Sequence, residues 1–533
     1  MNHGETFLWY DLETFGLNPR YDRIAQFACV RTDANLKVIE EPVVLYCKLS
    51  DDYLPDPLSC LITHITPQEV NEKGLSESEF IGKINEIFSQ SRTCVVGYNS
   101  LRFDDEFIRY TLFRNFLDPY KREYAKGNSR WDILDLVRAA HDLRPEGINW
   151  PIKADSKRPS FKLSDLADAN GIENEHAHDA LNDVWATLEL ARLIKKKQPK
   201  LFSYYLSLRD KQFAKQLLKV PMGDPLLLTA AQFTSEAGAS SIVMPLTSSA
   251  KNNNTVIVFD LMQDPTPLIN ASNTVDQLNH IKNREKELNE LTSKIVSSLD
   301  AKENYEETLK ESVGVINKTA KLLKELPSLI SAHDQLMSIK GVYQVAINRA
   351  PFLSPMSVMT EEVANRLNID LKRCEANHQR LLEKKMLSIN IRRAFDDIEY
   401  LEVDDVDQTL YSGDFFSDGD HKLFRRIRET DSKELYNLSF DFDDQRAHEM
   451  LWRYLRRNWP QDMNEEQTKR WYSHCAERII DPPGKNLITL NFYARKIKEK
   501  IKSKDIDPSD KEVLLELENY GKELCKKIGL TYP

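Results

Sequence analysis

The run FLWYDLETFGL at residues 7 to 17 is apolar until it delivers two carboxylates one residue apart, Asp11 and Glu13. Side chains of a strand alternate faces with period two, so both project to one side. Two such carboxylates repel unless a positive charge sits between them. Oxygen ligands on a rigid strand end are what Mg²⁺ or Mn²⁺ prefers. By itself D-x-E is equally compatible with a solvated strand end in an acidic protein. Two further segments alter the balance. GYNSLRFDDEF (97 to 107) ends a strand, turns at Asn99 and Ser100, and sets Asp104 at the start of a helix. HAHDALNDV (176 to 184) sets His178 in a loop before a helix and Asp183 about one turn into it. Four acids and one histidine on three separated segments are the inventory for metal-assisted phosphodiester hydrolysis, the histidine being able to exchange a proton near neutral pH. The neighbouring Asp105 and Asp179 read as surface or capping residues, Asp179 as the cap of the helix that follows.

An α/β unit must position these residues. FLWY (7 to 10), RIAQFACVRTD (23 to 33), PVVLYCKL (42 to 49) and TCVVGYN (93 to 99) read as strands. EFIGKINEIFSQ (79 to 90), DEFIRYTLFRNF (105 to 116), WDILDLVRAAHDL (131 to 143) and ALNDVWATLELARLIKKK (180 to 197) read as helices, with Trp131 in the core. From about 200 the pattern becomes short β runs punctuated by Pro and Gly. Apolar residues at helical spacing between 277 and 340 predict a helical hairpin, packed on itself, inserted in that β unit. Beyond Pro355 the chain reads as mostly helical, interrupted by an acidic, turn-rich stretch from 396 to 420. The expected domains are 1–198 (α/β), 199–354 (β with the insertion) and 355–533 (helical). Two basic runs, RYLRRNW (453 to 459) and KIKEKIKSK (496 to 504), read as solvated helix faces.

Composition bounds the rest. A length of 533 residues exceeds one hydrophobic core, and 41% hydrophobic with 29% charged residues is the range of globular proteins. No apolar run is long enough for a membrane helix, and the N-terminus lacks secretory-signal features, so a cytoplasmic protein is expected. Seven scattered cysteines without a C-x-x-C pair imply reduced thiols rather than a zinc site. A net charge of -10 argues against a passive nucleic-acid coat, although an acidic exterior can coexist with a local basic groove.

The segments D-x-E, Asn-x-x-x-Phe-Asp and His-Asp-Ala-x-x-Asp resemble the DEDDh exonucleases. YDLETFG, DRIAQFACVRTD, EPVVLYCKLSDDYLP, LITHITPQE, NSRWDILDLVRA, LRPEGINWP and AHDALNDV resemble bacterial exodeoxyribonuclease I in particular, and weaker matches such as VAINRAP and DQTLYSGDFFSD extend over most of the chain. The resemblance implies a ribonuclease H-like exonuclease domain, an SH3-like β domain and a C-terminal helical domain around single-stranded DNA. It implies 3′ to 5′ removal of 5′-mononucleotides in DNA repair and recombination. Asp11, Glu13 and Asp183 would ligate two Mg²⁺ ions (with Mn²⁺ as a substitute), Asp104 would hold one of them directly or through water, and His178 would be the general base. The substrate contacts it implies are Glu13, His178, Arg109, Tyr120, Tyr124, Arg138 and Lys162, the last where the family favours arginine. Four of these also have a plain reading: Arg109 on a solvated helix face, Tyr120 and Tyr124 in a packed loop, Arg138 paired with a helix carboxylate. The family also binds the acidic C-terminal tail of single-stranded DNA-binding protein, with Arg144 as a candidate contact, and a monomer is expected. An exoribonuclease of the same type remains open, because the five site residues do not report sugar identity. A non-catalytic nucleic-acid-binding scaffold is disfavoured by the complete site.

Overall fold

The computed structural model describes residues 4–173, 179–249, 251–300, 306–336, 338–396, 403–503 and 506–533. The N-terminal unit is built on a five-stranded sheet in the order β3-β2-β1-β4-β5. Its strands are β1 (Thr6–Thr14), β2 (Ile24–Thr32), β3 (Val43–Tyr46), β4 (Thr93–Gly97) and β5 (Ser129–Asp132). β1 runs antiparallel to β2 and parallel to β4. Its pairing with β4 ends at Trp9↔Val96, whereas its pairing with β2 continues to Thr14. The second half of β1 therefore stands beyond the end of its parallel neighbour, and Asp11 and Glu13 lie on that overhang. The segment expected to be one helix from Trp131 is divided: Trp131 and Asp132 close β5, and the helix begins at Leu134. Trp131 is fully buried.

The second unit is an antiparallel sheet in the order β10-β6-β7-β8-β9, with β6 Leu226–Thr229, β7 Ser240–Ser248, β8 Thr255–Asp260, β9 Val342–Ala346 and β10 Phe352–Pro355. One hydrophobic core runs from the N-terminal sheet into this one. Trp131 meets Phe202 edge-on at 5.2 Å, and Tyr205 packs on Phe352 at 5.4 Å.

Between β8 and β9 the expected hairpin is three helices, Thr266–Asp300, Glu306–Lys324 and Leu326–Leu336. The first starts eleven residues earlier than its periodicity suggests, because Leu268, Ala271 and Val275 are buried and extend the apolar face backwards. Pro327 lacks an N–H and divides what would otherwise be one long return helix. The bundle does not close on itself as expected: Leu309, Val313, Ile316 and Leu323 of the second helix remain about half exposed.

The C-terminal unit is helical, and its seam with the N-terminal unit is ionic. The basic run 453 to 459 is not a solvated face: Arg453 and Arg457 are buried against Asp405, Asp407 and Asp52. The acidic stretch supplies two of those carboxylates, so opposite charges far apart in sequence neutralise each other inside. All seven cysteines are buried and unpaired. Among the described residues no helix is long and apolar enough to cross a membrane.

Candidate active site

Three chain segments converge on the overhang of β1. β4 ends at Gly97, where a Cβ would stand 2.5 Å from the Ser100 Cβ and 3.0 Å from the Tyr10 carbonyl oxygen, so only glycine lets the chain pass. Asn99 then adopts a left-handed conformation (φ 63°), which asparagine tolerates. The buried Asp132 carboxylate accepts hydrogen bonds from the backbone N–H groups of Asn99 (2.9 Å), Leu101 (3.2 Å) and Leu134 (3.0 Å). That clamp sets the start of the helix Asp104–Arg114, and Asp104 is its first residue.

The third segment is the helix Ala180–Lys197. Asp179 caps it, accepting from Leu181 N (3.0 Å) and Asn182 N (3.4 Å). Gln26, which lies opposite Glu13 in the β1–β2 register, accepts from Ala180 N at 3.1 Å. Asp183 follows one turn later and faces the strand. Ligand atoms of Asp11, Glu13 and Asp183 all lie within 4.8 Å of one another. Asp104 stands outside this triangle and is buried beside it, and burial pushes its carboxyl well above the ordinary range. His178 lies outside the described residues.

The electrostatics of the cluster are those of acids crowded together without a cationic side chain acting on Asp11 or Glu13. Burial pushes the Asp11 carboxyl well above its ordinary range, and Asp104, Glu13 and Asp183 push it further. Glu13 is raised to about 9, by burial first and then by Asp183 and Asp104. The charges acting on both are other carboxylates, so nothing in these contributions favours the ionised form. An all-oxygen donor set with this mutual repulsion fits a hard divalent ion.

Asp105, expected at the surface or as a cap, is one of the most buried acids of the chain. Successive helical residues turn by about 100°, so while Asp104 faces the site, Asp105 faces inward. There it meets Arg130 Nη1 (2.6 Å), Arg122 Nη2 (2.8 Å) and Tyr10 Oη (3.0 Å). Burial alone would raise its pKa, but Arg122, Arg130 and Arg109 outweigh it and hold the carboxyl ionised.

The candidate substrate contacts divide by exposure. Lys162 and Tyr124 are exposed, and Tyr120 is half-buried with the Arg109 guanidinium 5.3 Å from its ring. Arg109 is buried rather than on a solvated face, paired through two nitrogens to Glu123 (2.8 and 3.0 Å) and through a third to Glu106 (3.0 Å). Arg138 is buried as well, donating to Asp135 at 2.6 Å. Gln26 and Asp132 escaped sequence reasoning. The only available signal was a glutamine amid RIAQFACV and an acid ending an apolar strand.

The overhanging β1, the four carboxylates and the flanking helices define a DEDDh-type exonuclease fold. A family model described as "Exonuclease" matches residues 8–191, the "Exonuclease I SH3-like domain" matches 209–297 and 329–397, and the "Exonuclease I C-terminal domain" matches 404–524. The chain is 37% identical to exodeoxyribonuclease I of Escherichia coli over 528 residues, covering 98% of this chain and 100% of that protein. It is 39% identical to exodeoxyribonuclease I of Haemophilus influenzae, covering 89% and 90%. The crystal structure of E. coli exonuclease I with a dA16 oligonucleotide superposes with a TM-score of 0.82 at 35% identity, over 98% of this chain and all of that one. Structures of E. coli exonuclease I in a zinc-bound complex with single-stranded DNA, and of exonuclease I with SSB and an inhibitor, each give a TM-score of 0.81. An oligoribonuclease of Marinobacter nauticus matches only 26% of the chain, at 33% identity. The chain belongs to the exonuclease I family, whose exonuclease domain implies divalent metal ions. The family's SH3-like model leaves 298–328 unmatched, a stretch that includes the whole second inserted helix.

Proposed function

We propose that this chain is a cytoplasmic 3′ to 5′ exonuclease that degrades single-stranded DNA to 5′-mononucleotides during repair and recombination. The observation that carries this reading is the Asp11–Glu13–Asp183 triangle, set in a chain similar along its whole length to exodeoxyribonucleases I. Asp11, Glu13 and Asp183, with Asp104 directly or through water, would hold two Mg²⁺ ions, which Mn²⁺ can replace. Such ions supply an activated water and neutralise charge on the leaving 3′ oxygen. The chain's own part is to fix the carboxylates on a rigid strand and two helix starts, so that a phosphodiester entering the cluster finds its position already set. His178 accepts the proton of the attacking water. Glu13 and His178 border the terminal nucleotide, and Lys162, Tyr124 and Tyr120 offer the cations and aromatic faces that single strands need. Arg109 and Arg138 contribute by orienting neighbours or by exchanging a carboxylate for a phosphate.

End-labelled single-stranded DNA, duplex DNA and RNA offered side by side with Mg²⁺ test the reading. Single-stranded DNA should be shortened from its 3′ end to mononucleotides, faster than either competitor. A preference for RNA, which the oligoribonuclease match makes worth checking, would overturn it. His178→Ala should slow turnover by a factor on the order of 10² and flatten the acid limb of the pH–rate profile. An unchanged profile removes the base assignment.

Arg144 is exposed at the mouth of a cavity of about 480 Å³ shared with Lys200, Tyr204 and Phe352. Its cation beside an apolar wall suits an acidic peptide with a hydrophobic end. We assign it to the C-terminal tail of single-stranded DNA-binding protein, bound by a monomeric enzyme. Arg144→Ala should weaken binding of that tail while leaving turnover of naked DNA intact.

A further inference from the structure

The first turn of the helix Asp104–Arg114 carries three consecutive carboxylates, which point in three directions. Asp104 faces the active site and Asp105 the interior. Glu106 faces the other two units of the protein. Its Oε1 accepts from Arg349 Nη2 at 2.7 Å and from Arg109 Nη1 at 3.0 Å, and its Oε2 accepts from Tyr411 Oη at 2.7 Å. Arg349 belongs to the β unit, 243 residues away, and Tyr411 to the C-terminal unit, 305 residues away. The contacts around this point reinforce it. Arg130 Nη2 donates to the Asn348 carbonyl oxygen at 3.3 Å, Arg109 Nη1 donates to Tyr411 Oη at 3.0 Å, and Tyr110 meets the Tyr411 ring edge-on at 5.8 Å. Glu106 itself is buried, so its charge depends on these donors rather than on water.

We infer that Glu106 is a positioning residue: its carboxylate latches the β and C-terminal units onto the helix that begins with Asp104. A strand bound at the active site is thereby held by three units acting as one. Only Asp105 separates the latch from Asp104, so the outer units are fastened to the same helical turn that carries a site carboxylate. The inference rests on the reading of the site as a single-strand exonuclease.

The test is the dissociation rate of a labelled single-stranded oligonucleotide of about 20 nucleotides from metal-free protein in EDTA. Glutamine at position 106 keeps one acceptor but turns an amide donor toward guanidinium or phenol donors. Glu106→Gln should therefore release the strand about tenfold faster or more. Arg349→Gln and Tyr411→Phe, made on the more exposed partners, should each accelerate release by a smaller factor. They keep the test open if Glu106→Gln does not fold. Combining Glu106→Gln with Arg349→Gln should add little beyond the first substitution, because both break one contact. With metal restored, Arg349→Gln and Tyr411→Phe should remove fewer nucleotides per encounter from long strands yet turn over a trinucleotide at nearly the wild-type rate. Release of the strand at the wild-type rate by all three variants overturns the latch. So does an equal loss on trinucleotide and long strand, which would indicate general damage. Inability of the wild type to degrade single-stranded DNA would instead strike the reading of the site.

Discussion

Asp11→Asn and Asp183→Asn should each cut turnover of single-stranded DNA by on the order of 10³-fold while leaving strand binding measurable, and should make the metal-free protein more stable. The two effects have one cause. Asp11, Glu13 and Asp183 offer oxygens within 4.8 Å of one another; Glu13 and Asp183 raise the proton affinity of Asp11, and Asp183 raises that of Glu13. Deleting one charge removes a ligand, hence the loss of rate, and also removes a repulsion, hence the gain in stability. The pH dependence follows from Glu13, whose pKa in the folded, metal-free chain is raised to about 9. Across the interval between its ordinary value near 4.3 and that figure, the folded state retains protons that the unfolded chain has released. Stability of EDTA-treated protein therefore falls as pH rises through this window, and it falls less in Asp183→Asn, which removes the carboxylate that acts most on Glu13. Thermal midpoints of both proteins from about pH 6 to about pH 9, with and without Mg²⁺, measure this. Added Mg²⁺ should stabilise the wild type most, and most at the alkaline end. A variant that keeps full activity, or whose metal-free midpoint drops below that of the wild type at every pH, contradicts the assignment of these carboxylates as ligands.

The same physics explains what could be seen in the sequence. Asp11 and Glu13 were legible because period two is a property of any strand, and Asp183 because its helix has a strong apolar face with a capping acid in front. Asp105 was not. A helix rotates adjacent acids onto different faces, and the partners that make Asp105 an interior residue, Arg122 and Arg130, come from a loop and a strand with no local sign of their destination. Arg453 and Arg457 are illegible for the same reason: an arginine on a helix reads as solvated until the chain brings a buried aspartate to it. Among the contacts, Lys162 and Tyr124 are exposed as a binding residue must be. Arg109 is engaged with Glu123, an acid that the fold brings to it, whereas Arg138 pairs with Asp135 one turn back on its own helix, as its sequence suggests. The inserted helices were legible as helices but not in number or extent, since periodicity does not mark where a proline divides a helix or which residues touch a neighbouring one.

Arg457→Ala should lower stability by about 3–5 kcal/mol, because it strips a shared cation from two buried carboxylates. Arg457 Nη2 lies 2.7 Å from Asp52 of the N-terminal unit and 2.6 Å from Asp407 of the C-terminal unit, and none of the three side chains is more than a few per cent exposed. Burial alone would push the Asp52 carboxyl up. Arg457, Arg478 and Arg23 outweigh that and hold it well below the usual carboxylate range, and Asp407 is held down by Arg457 and Arg453 in the same way. In the wild type these depressed pKa values contribute stability that is present above the unfolded value near 4 and is lost only as pH falls through the folded value. Removing Arg457 weakens the force that keeps both carboxyls ionised, so burial moves their pKa values upward. If they rise past the unfolded value the sign reverses: the variant then loses stability as pH rises above about 4 and recovers part of it in mild acid, where the carboxyls can be protonated. Urea midpoints of wild type and variant at about pH 5 and about pH 8 separate this from simple loss of packing, which would cost the same at both. Arg457→Lys, which keeps the charge but cannot span both carboxylates with one planar group, should fall between them. A pH-independent loss, or one below about 1 kcal/mol, would mean that Arg478 and Arg453 suffice to neutralise the seam. In that case the N-terminal and C-terminal units are joined by their apolar contacts around Trp471 and Tyr53 rather than by charge.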